Sequence, residues 1–273
     1  MKPDPEAAGT ASGRCAGARS PRPYTALVLS GGCLRGLAQI GALKALERAG
    51  IRPDLVVGSS AGAVIGALYA AGRTPTEIDR AAQELVVAKL RRWAFSRHGL
   101  WHAAGLRALL RQHLPHRRIE DFPIRFCAVA TDLVSGGAAA FTRGDASVAV
   151  VASAAMPGFF VPQQVDGRRY ADGCLSSPLP VGVARALGAH RVIAVNTLCD
   201  PGRLPVARLL DAMLRPARLM MQSLAAHEAR LADLVITPDL SALDAMALTH
   251  RRSVIDAGER TASALLAPGL QIH

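Results

Sequence analysis

Aromatic residues are scarce in this chain of 273: they make up 4%, with two tryptophans, three tyrosines and six phenylalanines. The apolar half of the composition is mostly alanine, leucine and valine, which predicts helices with small faces packed closely on a sheet and argues against an all-β barrel. Lysine is scarcer still. Only Lys2, Lys44 and Lys89 occur among 32 basic residues, so the formal charge of +11 is carried by arginine. Such a bias fits a whole-genome composition effect, and net charge alone names no partner. No zinc-finger spacing, helix-turn-helix pattern or interleaving of aromatic and basic residues is present, so nucleic acid is not expected as a partner. The five cysteines, Cys15, Cys33, Cys127, Cys174 and Cys199, are odd in number and widely spaced without a CxxC, which predicts reduced thiols in a cytoplasmic chain and no disulfide framework. Residues 1–22 lack an apolar h-region and read as a flexible Pro/Ala/Gly tail. No apolar run reaches the length of a membrane span, so any membrane contact is expected to be peripheral.

What is present reads as a single α/β domain over residues 23–273. The apolar stretch "YTALVLS" (24–30) predicts a strand, and "LAQIGALKALERAG" (37–50) a helix stopped by Gly50. A second strand, "DLVVGSS" (54–60), precedes a small-residue helix, "AGAVIGALYAAG" (61–72). Two strand-turn-helix units in succession predict a three-layer α/β/α arrangement on a mainly parallel central sheet. Residues 76–120 read as a helical cap, and "IRFCAVATDL" (124–133) returns to the sheet with "AAAFTRG" (138–144) as a hairpin partner. A short helix is expected within 145–162, ended by Pro157, then a strand edge and turn over 168–181 and a strand within 186–198. Helices are expected around 205–231 and 242–267, with "ADLVITP" (232–238) a strand between them.

The strongest local signal is "GSSAG" (58–62), which places Ser60 at the centre of G-x-S-x-G between a strand and a helix. In a nucleophile elbow the glycines on either side, here Gly58 and Gly62, make room for a strained turn that presents the serine oxygen. The bland alternative is a glycine-rich βα turn that happens to hold a serine. One βα unit earlier stands "SGGCLRG" (30–36). Gly31 and Gly36 have the separation of a P-loop, but Leu37 replaces its lysine. A dinucleotide corner is no better supported, because G-x-G is missing and the second strand ends in Val57-Gly58 instead of an acid. The corner therefore either donates backbone N–H groups to a developing oxyanion beside Ser60 or serves only close packing. A base is also needed. None of the eight histidines stands in a loop that clearly follows a late strand, whereas Asp172 in "YADGCL" lies on a turn after a short strand. Asp-Gly is also an ordinary turn. For Asp172 to act as a base, its surroundings must exclude water and raise its basicity.

Taken together, "SGGCLRG" (30–36), "GSSAG" (58–62), "ASAAMPGFFVP" (152–162) and "DGCLSSPLP" (172–180) resemble the patatin-like phospholipases, especially the compact bacterial members, over roughly residues 24–240. The resemblance implies a lipid acyl hydrolase with a Ser-Asp dyad, no catalytic histidine, and no metal or other cofactor. It implies Ser60 as nucleophile, Asp172 as base, the amides of Gly32 and Cys33 as oxyanion donors, Gly31 and Gly36 as supports of that loop, and Arg35 as its basic residue. Two positions depart from the pattern: Cys33 replaces a third glycine, and Cys174 replaces the small residue after Asp-Gly. The implied substrate is a phospholipid, lysophospholipid or simpler fatty ester. Cys33 also leaves room for a weakly active or inactive scaffold that binds lipid or protein.

No acid lies between Glu84 and Glu120, while Lys89, Arg91, Arg92, Arg97, Arg107, Arg111, Arg117 and Arg118 fall there with both tryptophans, Trp93 and Trp101. Arginine beside tryptophan on short helices suits a lipid headgroup boundary, so residues 85–118 are expected to cap the site and to dock on anionic membrane. The alternative is a solvated arginine face with its tryptophans packed inward.

Overall fold

The computed structural model describes residues 23–93, 104–198, 209–240 and 251–267. The expected tail at 1–22, Trp101, Cys15 and Cys199 lie outside the described residues, as do the beginnings of the last two expected helices. The strands are β1 (Thr25–Leu29), β2 (Leu55–Ser59), β3 (Arg125–Asp132), β4 (Ala138–Phe141), β5 (Gln163–Val165), β6 (Arg168–Asp172), β7 (Arg191–Val195) and β8 (Leu234–Ile236). The helices are α1 (Ala38–Arg48), α2 (Ala61–Ala70), α3 (Pro75–Trp93), α4 (Ala104–His113), α5 (Ala146–Ser153), α6 (Val181–Ala186), α7 (Leu209–Ala229) and α8 (Arg251–Leu265).

All eight strands join one sheet, paired in the order β5-β6-β3-β2-β1-β7-β8 with β4 also on β3. The pairs β1/β2, β1/β7, β2/β3 and β7/β8 are parallel. The strand period of two sorts the core into two halves. Leu27, Leu29, Val56, Phe126 and Ile193 pack with α1, α2, α5 and α8 on one face, while Ala26, Val28, Leu55, Val57 and Val192 pack with α6 and α7 on the other. Because both faces are covered, β1 and β2 are buried along their whole lengths, and the three-layer α/β/α arrangement expected from the sequence is the one found. Leu110 and Leu114, in and just after α4, enter the same core as Leu68 and Ile78, so the described part of the 76–120 segment is anchored in the helical layer. Among the described residues no helix is long and apolar enough to cross a membrane.

β3 positions the site because it carries two partners on one edge. Its residues 125–129 pair with β2, and 130–132 pair with β6, which runs the opposite way. β4 overlaps both on 128–131 and so occupies the other edge. β2 and β6 therefore approach each other along β3 and stop at adjacent register positions, Ser59 opposite Val129 and Asp172 opposite Ala130. Two residues far apart in sequence are thus brought end to end by hydrogen-bond register alone.

The helix expected to run up to Pro157 ends at Ser153. The carbonyl of Ala155 is taken by the Asp172 N–H at 3.0 Å, and the chain turns at Met156–Phe160 instead. β5 was not expected; three residues, Gln163–Val165, are too few to show a period, and they become a strand only by pairing with β6.

Candidate active site

Between the end of β2 and the start of α2, Ser60 stands on the turn with φ 53° and ψ −119°. Positive φ costs a residue with a side chain roughly 1–2 kcal/mol, so something must hold it there. Part of the answer is absence: a Cβ on Gly58 would strike the Gly62 carbonyl, and one on Gly62 would strike the carbonyl of Leu29. The rest is a hydrogen-bond relay. The Ser60 N–H donates to Ser153 Oγ at 3.0 Å, and the Ser153 hydroxyl donates to the Val129 carbonyl at 2.5 Å. The end of α5 is thereby tied to the turn.

Asp172 closes β6 and is fully buried. Its Oδ2 accepts the Ser60 hydroxyl at 2.7 Å, and its Oδ1 accepts the Cys174 N–H at 2.9 Å. The Thr131 hydroxyl donates to its carbonyl at 2.7 Å. Burial raises the Asp172 carboxyl to about 6, against the opposing pull of the hydrogen bonds from Ser60 and Cys174. The group is thus ionised at neutral pH yet a stronger base than an ordinary aspartate. Among the described histidines, His113 is paired with Glu84 at 2.9 Å and His116 lies against the Phe122 ring.

The glycine corner abuts this pair. An ideal Cβ on Gly31 would lie 3.4 Å from Ser60 Cβ and would overlap Cys174 Sγ, and one on Gly36 would lie 2.7 Å from Ala61 Cβ. The Gly31 N–H is donated to the Pro178 carbonyl at 3.1 Å, while its own carbonyl accepts from Ser30 Oγ at 2.8 Å and Thr197 Oγ1 at 2.9 Å. That amide is therefore already spent within the fold. No hydrogen bond among the described residues engages the N–H of Gly32, where φ is 154° and an added Cβ would strike Thr197 Oγ1. Cys33 follows with φ 51°, exposed, at the start of a 3-10 turn, Cys33–Leu37. Arg35 closes that turn by donating its N–H to the Gly32 carbonyl at 3.0 Å, and its side-chain Nε is buried without a partner. Cys174 is buried beside the corner, and burial first, then the Asp172 carboxylate, pushes its thiol well above the usual 9. It remains neutral.

Ser153, Thr131, Thr197 and Ser177 were not singled out from sequence, because a buried hydroxyl that donates within the fold, to a carbonyl for the first three and to the Glu228 carboxylate for Ser177, looks like any other small residue in the chain. Among the described residues no group of three or more His, Cys, Asp or Glu side chains is placed to hold a metal ion.

Residues 27–185, a span holding the corner, Ser60 and Asp172, match the family model of the patatin-like phospholipases. The chain belongs to this family. An uncharacterised NTE family protein of Mycobacterium tuberculosis is 38% identical to this patatin-like chain over 186 residues, which cover 67% of the chain and 51% of that protein. The human patatin-like phospholipase domain-containing protein 6 is 32% identical over 179 residues, 63% of this chain and 13% of the human one. The chain thus spans about half the length of the mycobacterial relative and a small part of the human one. VipD from Legionella pneumophila superposes with a TM-score of 0.52 at 15% identity, over 90% of this chain and 67% of VipD, a likeness of fold. The patatin-like phospholipases are hydrolases, and the residues that match their model span the glycine corner, the Ser60 turn and Asp172 of this chain.

Proposed function

We propose that this patatin-like domain is a serine acyl hydrolase that cleaves carboxylic esters of phospholipids or lysophospholipids through Ser60 and Asp172. The observation that carries the reading is the 2.7 Å hydrogen bond from a serine on a strained elbow to a fully buried carboxylate whose basicity is raised. Ser60 Oγ attacks the ester carbonyl carbon as its proton passes to Asp172 Oδ2. The carbonyl oxygen, now negative, is stabilised by the N–H groups of Gly32 and Cys33 near the start of the 3-10 turn. The tetrahedral species collapses, the carbon–oxygen bond to the alcohol breaks, and the protonated Asp172 returns its proton to the leaving oxygen. Water then gives a proton to Asp172 and attacks the acyl-serine, releasing the fatty acid and restoring the Ser60 hydroxyl. The neutral Cys174 thiol leaves Ser60 as the nucleophile beside Asp172. Arg35 faces the lipid phosphate or ties down the loop.

The substrate lies in a membrane, and residues 85–118 dock the domain on anionic lipid at the inner face of that membrane. Two arginines of this segment already have acids: Arg111 pairs with Asp145 at 3.0 Å and Arg118 with Glu120 at 2.6 Å. Liposome sedimentation with and without anionic lipid tests the docking, and binding unchanged on replacing the segment's arginines contradicts it. For the reaction, a short-chain aryl ester and a mixed phospholipid panel are assayed with wild type, S60A and D172N. Fatty-acid release by wild type and its loss in both variants supports the dyad; equal activity in all three removes it.

A further inference from the structure

Glu228 has the profile of an ordinary surface residue in sequence, yet it is 9% exposed on the inner face of α7, where Met221 and Ala225 precede it at helical spacing. Burial raises its carboxyl to about 7. Its two oxygens meet two donors from one short segment: the Ser177 hydroxyl donates to Oε1, and the Leu179 N–H donates to Oε2 at 2.8 Å. The same segment holds both halves of the site. The Ser177 carbonyl accepts the Ser59 hydroxyl at 2.6 Å, immediately before Ser60, and the Pro178 carbonyl accepts the Gly31 N–H at 3.1 Å. One carboxylate on a helix of the outer layer thus fixes a strap of three residues whose carbonyls reach the elbow on one side and the glycine corner on the other.

We infer that Glu228 is a positioning residue that sets the spacing between the Ser60 elbow and the Gly31–Gly32 corner through the Ser177–Leu179 strap. The inference rests on the acyl hydrolase reading for its kinetic consequence. The strap's geometry explains why a carboxylate occurs there despite the cost of burying it: both neighbours are donors, and only a group with two acceptor oxygens satisfies them without turning either one. By holding the strap, Glu228 also keeps the Gly31 N–H committed to Pro178, so that the next amide, Gly32, is the first left for a substrate oxygen. A shift of an ångström between nucleophile and donors slows chemistry far more than binding.

The test compares wild type, S60A, E228A, E228Q and S177A in aryl-ester hydrolysis, with active sites counted by a fluorophosphonate, and follows amide exchange at Gly31 and Leu179 by NMR. Glu228→Ala lowers kcat per titrated site about tenfold or more with KM within about twofold, and both amides exchange faster. Glu228→Gln, whose amide oxygen still accepts from Leu179 while its nitrogen donates to Ser177 Oγ, recovers most of kcat. Ser177→Ala breaks one bond without touching the helix and gives an intermediate loss, which keeps the test open if E228A fails to fold. A kcat per titrated site unchanged in E228A and S177A overturns the inference, as does a loss matched fully by fewer titrated sites. If wild type hydrolyses no faster than S60A, the acyl hydrolase reading has failed, and the Gly31 exchange rate decides on its own: faster in the variants supports the strap, unchanged overturns it.

Discussion

Replacing Asp172 by asparagine is expected to make the protein more stable as it abolishes activity, with a gain that depends on pH. The carboxyl is fully buried, and its folded-state value is about 6 where a solvated aspartate has 3.8. The unfolded chain therefore ionises first, and the folded state carries a penalty that is absent well below 3.8, grows as pH rises, and levels off above about 6. A shift of about two units at 1.36 kcal/mol per unit gives roughly 3 kcal/mol at pH 8, falling below about 1 kcal/mol at pH 4. Asparagine escapes this penalty and keeps both contacts, since its oxygen accepts the Cys174 N–H and its nitrogen donates to Ser60 Oγ. For a chain of this size the gain at pH 8 corresponds to about 6–12 °C in melting temperature. Urea titrations of wild type and D172N between pH 4 and pH 8 read the difference directly, and Glu228, raised in the same way, cancels between the two proteins. A difference that is flat with pH, or one that turns against D172N as pH rises, would refute the claim that burial sets the basicity of this group.

The acid limb of kcat/KM follows the same carboxyl: activity falls about tenfold per unit below pH 6, because the base must be ionised in the free enzyme, and a limb near pH 4 contradicts the assignment. Cys33 holds φ 51°, a conformation glycine adopts freely, so C33G keeps or raises esterase activity; a loss above about tenfold, some 1.4 kcal/mol in transition-state stabilisation, would give the sulfur a part of its own. Ser153→Ala removes the acceptor of the buried Ser60 N–H, and is expected to cost about 1–3 kcal/mol in urea melting as well as activity; a variant as stable and active as wild type would show that the elbow holds itself.

The parts of the fold that depend on local pattern were legible. β1 and β2 are apolar runs ended by glycine-rich turns, and each helix that follows begins where those turns stop, so the α/β/α layering followed from spacing. The elbow was legible for the same reason, since Gly58, Ser60 and Gly62 carry their steric requirement in the sequence itself. The meeting of Ser60 with Asp172 was not a local matter. It came from the order of four motifs resembling a known family, and its physical cause, β2 and β6 sharing one edge of β3, is a property of register that no segment shows alone. Glu228 escaped notice because a glutamate on a helix is usually solvated; the spacing from Met221 and Ala225 places it on the apolar face, but only the strap at 177–179 gives that placement a meaning.

The most direct test of the acyl hydrolase reading is mass spectrometry of the protein quenched during turnover of a short-chain aryl ester. One acyl group is expected on the peptide that carries Ser60, present in wild type and absent from S60A. An acyl group on Cys33 or elsewhere, or full turnover by S60A, would contradict that reading.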